Sequence, residues 1–391
     1  MRRFREIFDQ PVLTKRQFLR AAGLAIAPRI LSPWALAAAR EKKKRSAGRR
    51  IIFVTFGGGC RYAETFTPEG LVNIPRLAAL RPQGYFFKNC VNSGILSHFN
   101  ATSSIITGNW QWVNDFGAEY AQNPTIFESY RKATGSGAME TWVVASNKGF
   151  ARIGGSANSS LGANVVLPKL LLTEAIKEVV RHRPGSGVTD RETVQRQLEG
   201  LLNEGYEGLG WTVFKTGQQL DGNVRETLTK ALVNYIHGPD KPSTGDELSF
   251  FIAREVMREF APKILLVNFW DMDVAHWGSY SLYLRAIQKT DELTGRLWDE
   301  VQSNPDYRDK TTMIVVPELG RDGDMDAANG FLNHRSGDPS CRNVWALAVG
   351  GGIAKGEADR PISHIDLCST AAELLEIPMK GIAGKPLAGI G

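Results

Sequence analysis

Residues Lys263–Glu300 read KILLVNFWDMDVAHWGSYSLYLRAIQKTDELTGRLWDE. Ile264 to Trp270 is an apolar run of strand length, and it empties into Asp271, Asp273 and His276 before a different pattern begins. Tyr280, Tyr283, Leu284, Ile287, Leu297, Trp298 and Val301 then recur at helical spacing, which predicts one long helix folded back over a sheet. The stretch is a βα unit with chemistry at its switch. Carboxylates and an imidazole at the C-terminal end of a buried strand are where open α/β sheets build their sites. The plainer reading of the same residues is that Asp271 and Asp273 cap the helix and His276 is a hydrogen-bonded core histidine.

Similar units flank this one. Ile51 to Phe56 is a β-branched and aromatic run that breaks at Gly57-Gly58-Gly59, followed by Arg61 and Glu64, which either serve an anion or pair with each other. Tyr85 to Val91 and Thr141 to Ser146 are further strands. Ser97 to Gly108 (SHFNATSSIITG) is a hydroxyl-rich turn into a helix. Thr311 to Val316 ends in Pro317-Glu318-Leu319-Gly320-Arg321-Asp322, a polar loop then carries Asn333-His334-Arg335, and Val344 to Val349 returns as a strand. Ser363-His364-Ile365-Asp366 opens a last helix. From Pro168 to Pro262 the pattern turns to charged, helix-spaced segments separated by Gly/Pro turns, a mostly helical insertion at about 168–262. Strands alternating with helices in this way predict an α/β fold, a largely parallel central sheet sandwiched between helices, with polar residues delivered at one end of the sheet.

The composition excludes several classes. At 391 residues and 42% hydrophobic the chain is neither fibrous nor disordered. Its net charge of +6 is not spread evenly: residues 1–50 hold fourteen Lys and Arg against three acids, leaving 33 basic and 38 acidic side chains for residues 51–391. The body is mildly acidic, so no nucleic-acid footprint exists on it. Cys60, Cys90, Cys341 and Cys368 lack metal-knuckle spacing and read as buried small residues, or as one disulfide if the chain leaves the cytoplasm.

Thr14-Lys15-Arg16-Gln17-Phe18-Leu19-Arg20, a modestly apolar stretch and Ala35-Leu36-Ala37-Ala38-Ala39 follow one another. The order resembles a twin-arginine export signal (Ser/Thr-Arg-Arg-x-Phe-Leu-Lys) with Lys15 in place of the first arginine, which implies the export machinery as a partner and a periplasmic or cell-surface location in a bacterium. Pro28 and Arg29 interrupt the apolar stretch short of the ~20 residues a membrane span needs, so no stable span is expected after cleavage. The expected organisation is a signal over 1–39, a basic linker over 40–50 and the α/β domain over 51–391.

The ordered set of a first strand with a polar loop, Ile105-Ile106-Thr107-Gly108, Asp273-x-x-His276, Glu318-x-Gly320, a late His334 and Ser363-His364-Ile365-Asp366 resembles the alkaline-phosphatase superfamily, which includes the sulfatases. Gly57-Gly58, Glu64-Thr65-Phe66, Ser97-His98-Phe99-Asn100-Ala101 and Glu318-Leu319-Gly320-Arg321 are closest to its exported subgroup with twin-arginine signals, whose function is unassigned. The resemblance implies an alkaline-phosphatase-like fold and a divalent metal, zinc or manganese, held by Asp273, His276 and His334, with Asp271 able to stand in for Asp273. It further implies His98 and Ser97 at the nucleophile position, Glu318 as an acid or base or part of a second ion site, and Arg321 stabilising charge at the reacting centre. Arg61 and Glu64 would contact the substrate, Arg61 sharing the charge-stabilising role of Arg321 and Glu64 sharing the acid, base or second-ion role of Glu318. Two functions follow from it: a metal-dependent hydrolase of a phosphate or sulfate ester, on an anionic small molecule or a glycan, or a binding or envelope protein that kept the fold and lost hydrolysis.

Overall fold

The computed structural model describes residues 48–114, 119–157, 159–172, 220–236, 243–323, 330–388 and 390. The export motif, its cleavage segment, most of the basic linker and residues 173–219 of the insertion lie outside the described residues. The strands are β1 Arg50–Phe56, β2 Tyr85–Val91, β3 Thr141–Ala145, β4 Asn164–Val166, β5 Ile264–Phe269, β6 Thr311–Pro317, β7 Asn343–Gly350, β8 Gly356–Ala358 and β9 Ile362–Ser363. The main helices are α1 Pro75–Leu80, α2 His98–Thr107, α3 Ile126–Thr134, α4 Gly222–Ile236, α5 Gly245–Phe260, α6 Tyr280–Ser303 and α7 Asp366–Leu374.

The nine strands of the described residues form one sheet in the order β4-β3-β5-β1-β6-β7-β2-β8, with β9 beside β2. Strands β4, β3, β5, β1 and β6 run parallel to one another. β7 is antiparallel to both β6 and β2. The sheet is thus mixed and mostly parallel, as the alternation of strands and helices predicts.

The apolar runs are explained by burial on both faces. In β1, Ile52, Val54 and Phe56 face one core, and Ile51 and Phe53 face the other. β5 divides the same way, Leu265, Val267 and Phe269 against Ile264 and Leu266. Residues of α1, α4, α5 and α6 fill the first core, and residues of α2, α3 and α7 fill the second. The described insertion helices therefore cover one face of the sheet, α5 packing on β5, β3 and α6.

Between β5 and α6 the chain makes a 3-10 segment, Asp271–Trp277, that ends at Gly278 with φ 83°. The cap of α6 is Ser279, whose Oγ accepts from the Leu282 amide. Asp271 and Asp273 therefore do not cap this helix, and the plainer reading of them fails on geometry.

Candidate metal centre

Four side chains converge beyond the C-terminal ends of β5, β1 and β6. His98, Asp273, His276 and His334 each offer a ligand atom, and these atoms lie within 4.8 Å of one another. Among the described residues this is the one group of three or more such donors. The Asp273 carboxylate is the hub: its Oδ1 is 3.1 Å from His276 Nε2 and 3.5 Å from His98 Nε2. The His334 ring stands 4.5 Å from that of His98 and 4.9 Å from that of His276, between ring centres. His98, Asp273 and His334 are buried, whereas the His276 side chain is 29% exposed, so the cluster opens to solvent on the His276 side.

The backbone explains why these residues meet. The glycines after β1 let its loop run against the exit of β5: Gly58 holds φ +86°, and a Cβ there would stand 2.3 Å from the Asp273 amide nitrogen. His98 begins α2 after Ser97, whose extended backbone turns the chain into the helix.

Behind His98 sits a second layer. Glu318, fully buried, accepts from His98 Nδ1 at 2.9 Å, from Thr102 Oγ1 at 2.7 Å, from the Gly58 amide at 3.4 Å and from the Asn268 amide group. Asn268 also donates to Thr55 Oγ1 at 2.7 Å, so adjacent rungs of β1, β5 and β6 are joined through polar side chains. A carboxylate only accepts, so Nδ1 of His98 carries a proton toward Glu318, and Nε2, turned toward Asp273, carries the second when the ring is charged. Burial disfavours a charged His98, but hydrogen bonds to Asp273 and Glu318 outweigh it and raise its pKa to about 9. Burial would raise Asp273, yet the bonds from His276 and His98 hold it well below the usual carboxylate range. Burial, with the charges of His98 and Arg321, pushes His334 well down, so it is neutral.

Several residues expected at the site are placed differently. Asp271 turns away from the cluster: its Oδ2 accepts from the Asp246 amide at 3.1 Å, and the positive charge acting on it is that of Lys169. It cannot stand in for Asp273 from there. Arg321 is fully buried, donating to the carbonyls of Gly58, Gly59, Phe331 and Leu332 and to Asp273 Oδ1 at 3.1 Å. It holds the loops together rather than facing a substrate. Arg61 and Glu64 take the pairing alternative, bonded to each other, with Arg61 Nη1 also donating to the Asp322 carbonyl at 2.8 Å and Tyr280 Oη donating to Glu64 at 3.1 Å. Arg61 borders a cavity of about 470 Å³ shared with Tyr62, Lys88, Asn89 and Ser340, which none of the four donors lines. The Ser97 hydroxyl is buried and makes no hydrogen bond among the described residues, so no base touches it in this arrangement. Glu318, closed in by four donors, is an orienting group and not an acid or base open to substrate. All four cysteines are buried and unpaired.

Sequence reading missed Thr102 and Asn268. A lone amide inside the apolar run of β5 was a signal for the second.

The fold matches that of solved hydrolases at low sequence identity. Wild-type alkaline phosphatase PafA aligns with a TM-score of 0.56 at 11% identity, over 88% of this chain and 99% of that one. A 2-O GAG sulfatase aligns at 0.51 and 12%, over 88% of this chain and 74% of its own. The PsFucS1 sulfatase from Pseudoalteromonas sp. aligns at 0.51 and 10%, over 91% and 75%. No family model and no curated protein matches the sequence. The chain therefore has the alkaline-phosphatase-like α/β fold.

Proposed function

We propose that the protein is an exported, metal-dependent hydrolase of a phosphate or sulfate ester, working with one divalent ion on an anionic small molecule or a glycan ester. The observation that carries this reading is the four-donor cluster at the C-terminal strand ends of a fold shared with a phosphatase and with sulfatases. The donors fit a cation. Three imidazoles and one carboxylate suit zinc or manganese better than calcium. The buried His334 Nδ1 has no hydrogen-bond partner among the described residues, which leaves that nitrogen available for a ligand bond. Ligand atoms around a zinc ion at ~2.0–2.1 Å stand about 3.4 Å apart, so the set as it lies needs only a small inward movement of side chains.

A bound divalent ion would polarise the ester oxygen and make a coordinated water acidic enough to attack near neutral pH. The chain's own residues do the rest. Glu318 fixes the His98 tautomer so that Nε2 faces inward, the second-layer carboxylate that metal-ligating histidines usually have. Arg321 anchors Asp273 and ties the β1 loop to the β6 loop. His276 lies at the mouth, where substrate arrives. Export rests on the Thr14–Arg20 motif, and replacing Lys15 and Arg16 together is expected to leave the precursor in the cytoplasm, as fractionation would show.

A specific observation favours the second reading, a binding or envelope protein without turnover. Asp273 is already satisfied by His276, His98 and Arg321, a network that closes on itself without an ion. Elemental analysis of protein purified without chelator or metal-affinity tag, joined to a screen against phosphate and sulfate esters, separates the two. Stoichiometric zinc or manganese with turnover supports the hydrolase, and a metal-free inert protein overturns it.

A further inference from the structure

We infer that Asp246, on the first turn of α5, is a positioning residue for the metal cluster, an inference that rests on the one-ion reading above. Asp246 is fully buried. Its Oδ1 accepts from the Trp270 amide at 2.7 Å and from Ser146 Oγ at 2.7 Å, and its Oδ2 accepts from the Asp271 amide at 3.0 Å. Asp271 returns the contact by accepting from the Asp246 amide at 3.1 Å. One carboxylate thus joins the end of β3, the exit of β5 and the start of α5.

What it holds is the turn that presents two of the four donors. Trp270 and Asp271 are the first residues after β5, and the Trp270 carbonyl accepts from the Asp273 amide at 3.0 Å, so fixing Trp270 fixes the turn on which Asp273 and His276 sit. The same turn is pressed from the other side by the β1 loop, where Gly58 leaves no room for a methyl group. The Trp270 ring lies edge-on to His98, 4.5 Å between centres, which links the turn to the third donor. Without Asp246 two buried amides would lose their acceptor, and the turn would relax toward other partners. His334 belongs to a different loop, the one after β6.

The test compares Asp246→Asn and Ser146→Ala with Asp291→Ala, a buried carboxylate far along α6 that is expected to destabilise without touching the cluster. Asparagine preserves shape but presents an amide group to one of the two amides Asp246 accepts, and Ser146→Ala removes a single bond should the first variant fold poorly. Zinc affinity is measured by chelator competition and amide hydrogen exchange is followed in residues 270–273. The expected result is a 10–100-fold weaker zinc affinity for Asp246→Asn, a smaller loss in the same direction for Ser146→Ala, and faster exchange confined to that turn. Asp291→Ala is expected to keep wild-type affinity at a comparable drop in melting temperature. Asp246→Asn binding zinc like the wild type, or affinity falling in step with stability across all three variants, would overturn the inference. A wild-type protein that binds no zinc or manganese overturns the one-ion reading and the positioning role with it, a distinct result because it appears before any variant is made.

Discussion

His276 and His334 come from different strand exits, yet their rings stand 4.9 Å apart around the Asp273 carboxylate. If both hold one ion, His276→Ala and His334→Ala each lose the metal, with affinity falling by more than the 10–100-fold that outer partners command. The double variant loses no more than either alone, because the ion is already gone. Glu318→Gln, which keeps the shape but weakens the hold on His98, is expected to fall within the 10–100-fold range by the same chelator competition. His364 makes a separate prediction. It is fully buried, and burial pushes its pKa down to about 3, the Pro317 carbonyl opposing only in part. The unfolded chain takes up a proton near pH 6.5 that the folded state refuses, so stability falls as pH drops below 6.5. At ~1.4 kcal/mol per pH unit, about 3 kcal/mol is lost by pH 4, and urea titrations at pH 7 and pH 4 on the wild type and on His364→Leu would show the gap narrowing in the variant.

Among the elements, α1 is started by a residue from another helix. Its own N-cap, Ile74, offers no side-chain cap, and Asp291 of α6 accepts from the amides of Arg76 at 2.9 Å and Leu77 at 2.8 Å instead. Asp291→Ala therefore leaves two amides without their acceptor and is expected to cost about 1–3 kcal/mol with metal content unchanged, checked by denaturation and elemental analysis of the folded protein. Burial outweighs those two bonds and raises the Asp291 carboxyl to about 6. The folded state then keeps a proton that the unfolded chain releases near ~3.9, so this group's contribution is most favourable below pH 4 and declines until about pH 6. The slope is opposite in sign to that of His364, and Asp291→Asn is expected to remove it alone. The glycine run after β1 is equally specific: Gly58→Ala collides with the Asp273 backbone and adds a strained positive φ. That variant is expected to lose metal even where circular dichroism shows the helices intact.

For the molecule as a whole, the sheet was legible in the sequence because strands buried on both faces are near-continuous apolar runs, and β1, β5 and β6 each carry one. That Asp273, His276 and His334 lie at one end was legible too, since each follows directly on such a run or its loop. The roles of Arg321 and Asp271 were not, because a charged residue beside a strand end reads the same whether its partner is a substrate or a backbone group from a distant loop, whereas the pairing of Arg61 with Glu64 was one of the two readings its local spacing offered. The partners of Glu318 come from Thr102, Asn268 and His98, and no local pattern ties those positions together. The strand order has a further consequence for synthesis. β1 lies between β5 and β6, so its two hydrogen-bonded edges wait for residues 264–269 and 311–317. At ~5–20 residues per second the ribosome needs on the order of 10–40 s to travel from β1 to β5, the first of these partners to emerge. Through that interval a strongly apolar segment near the start of the chain has no place in a sheet, which makes it the natural foothold for a chaperone and the part of the nascent protein most exposed to misassociation.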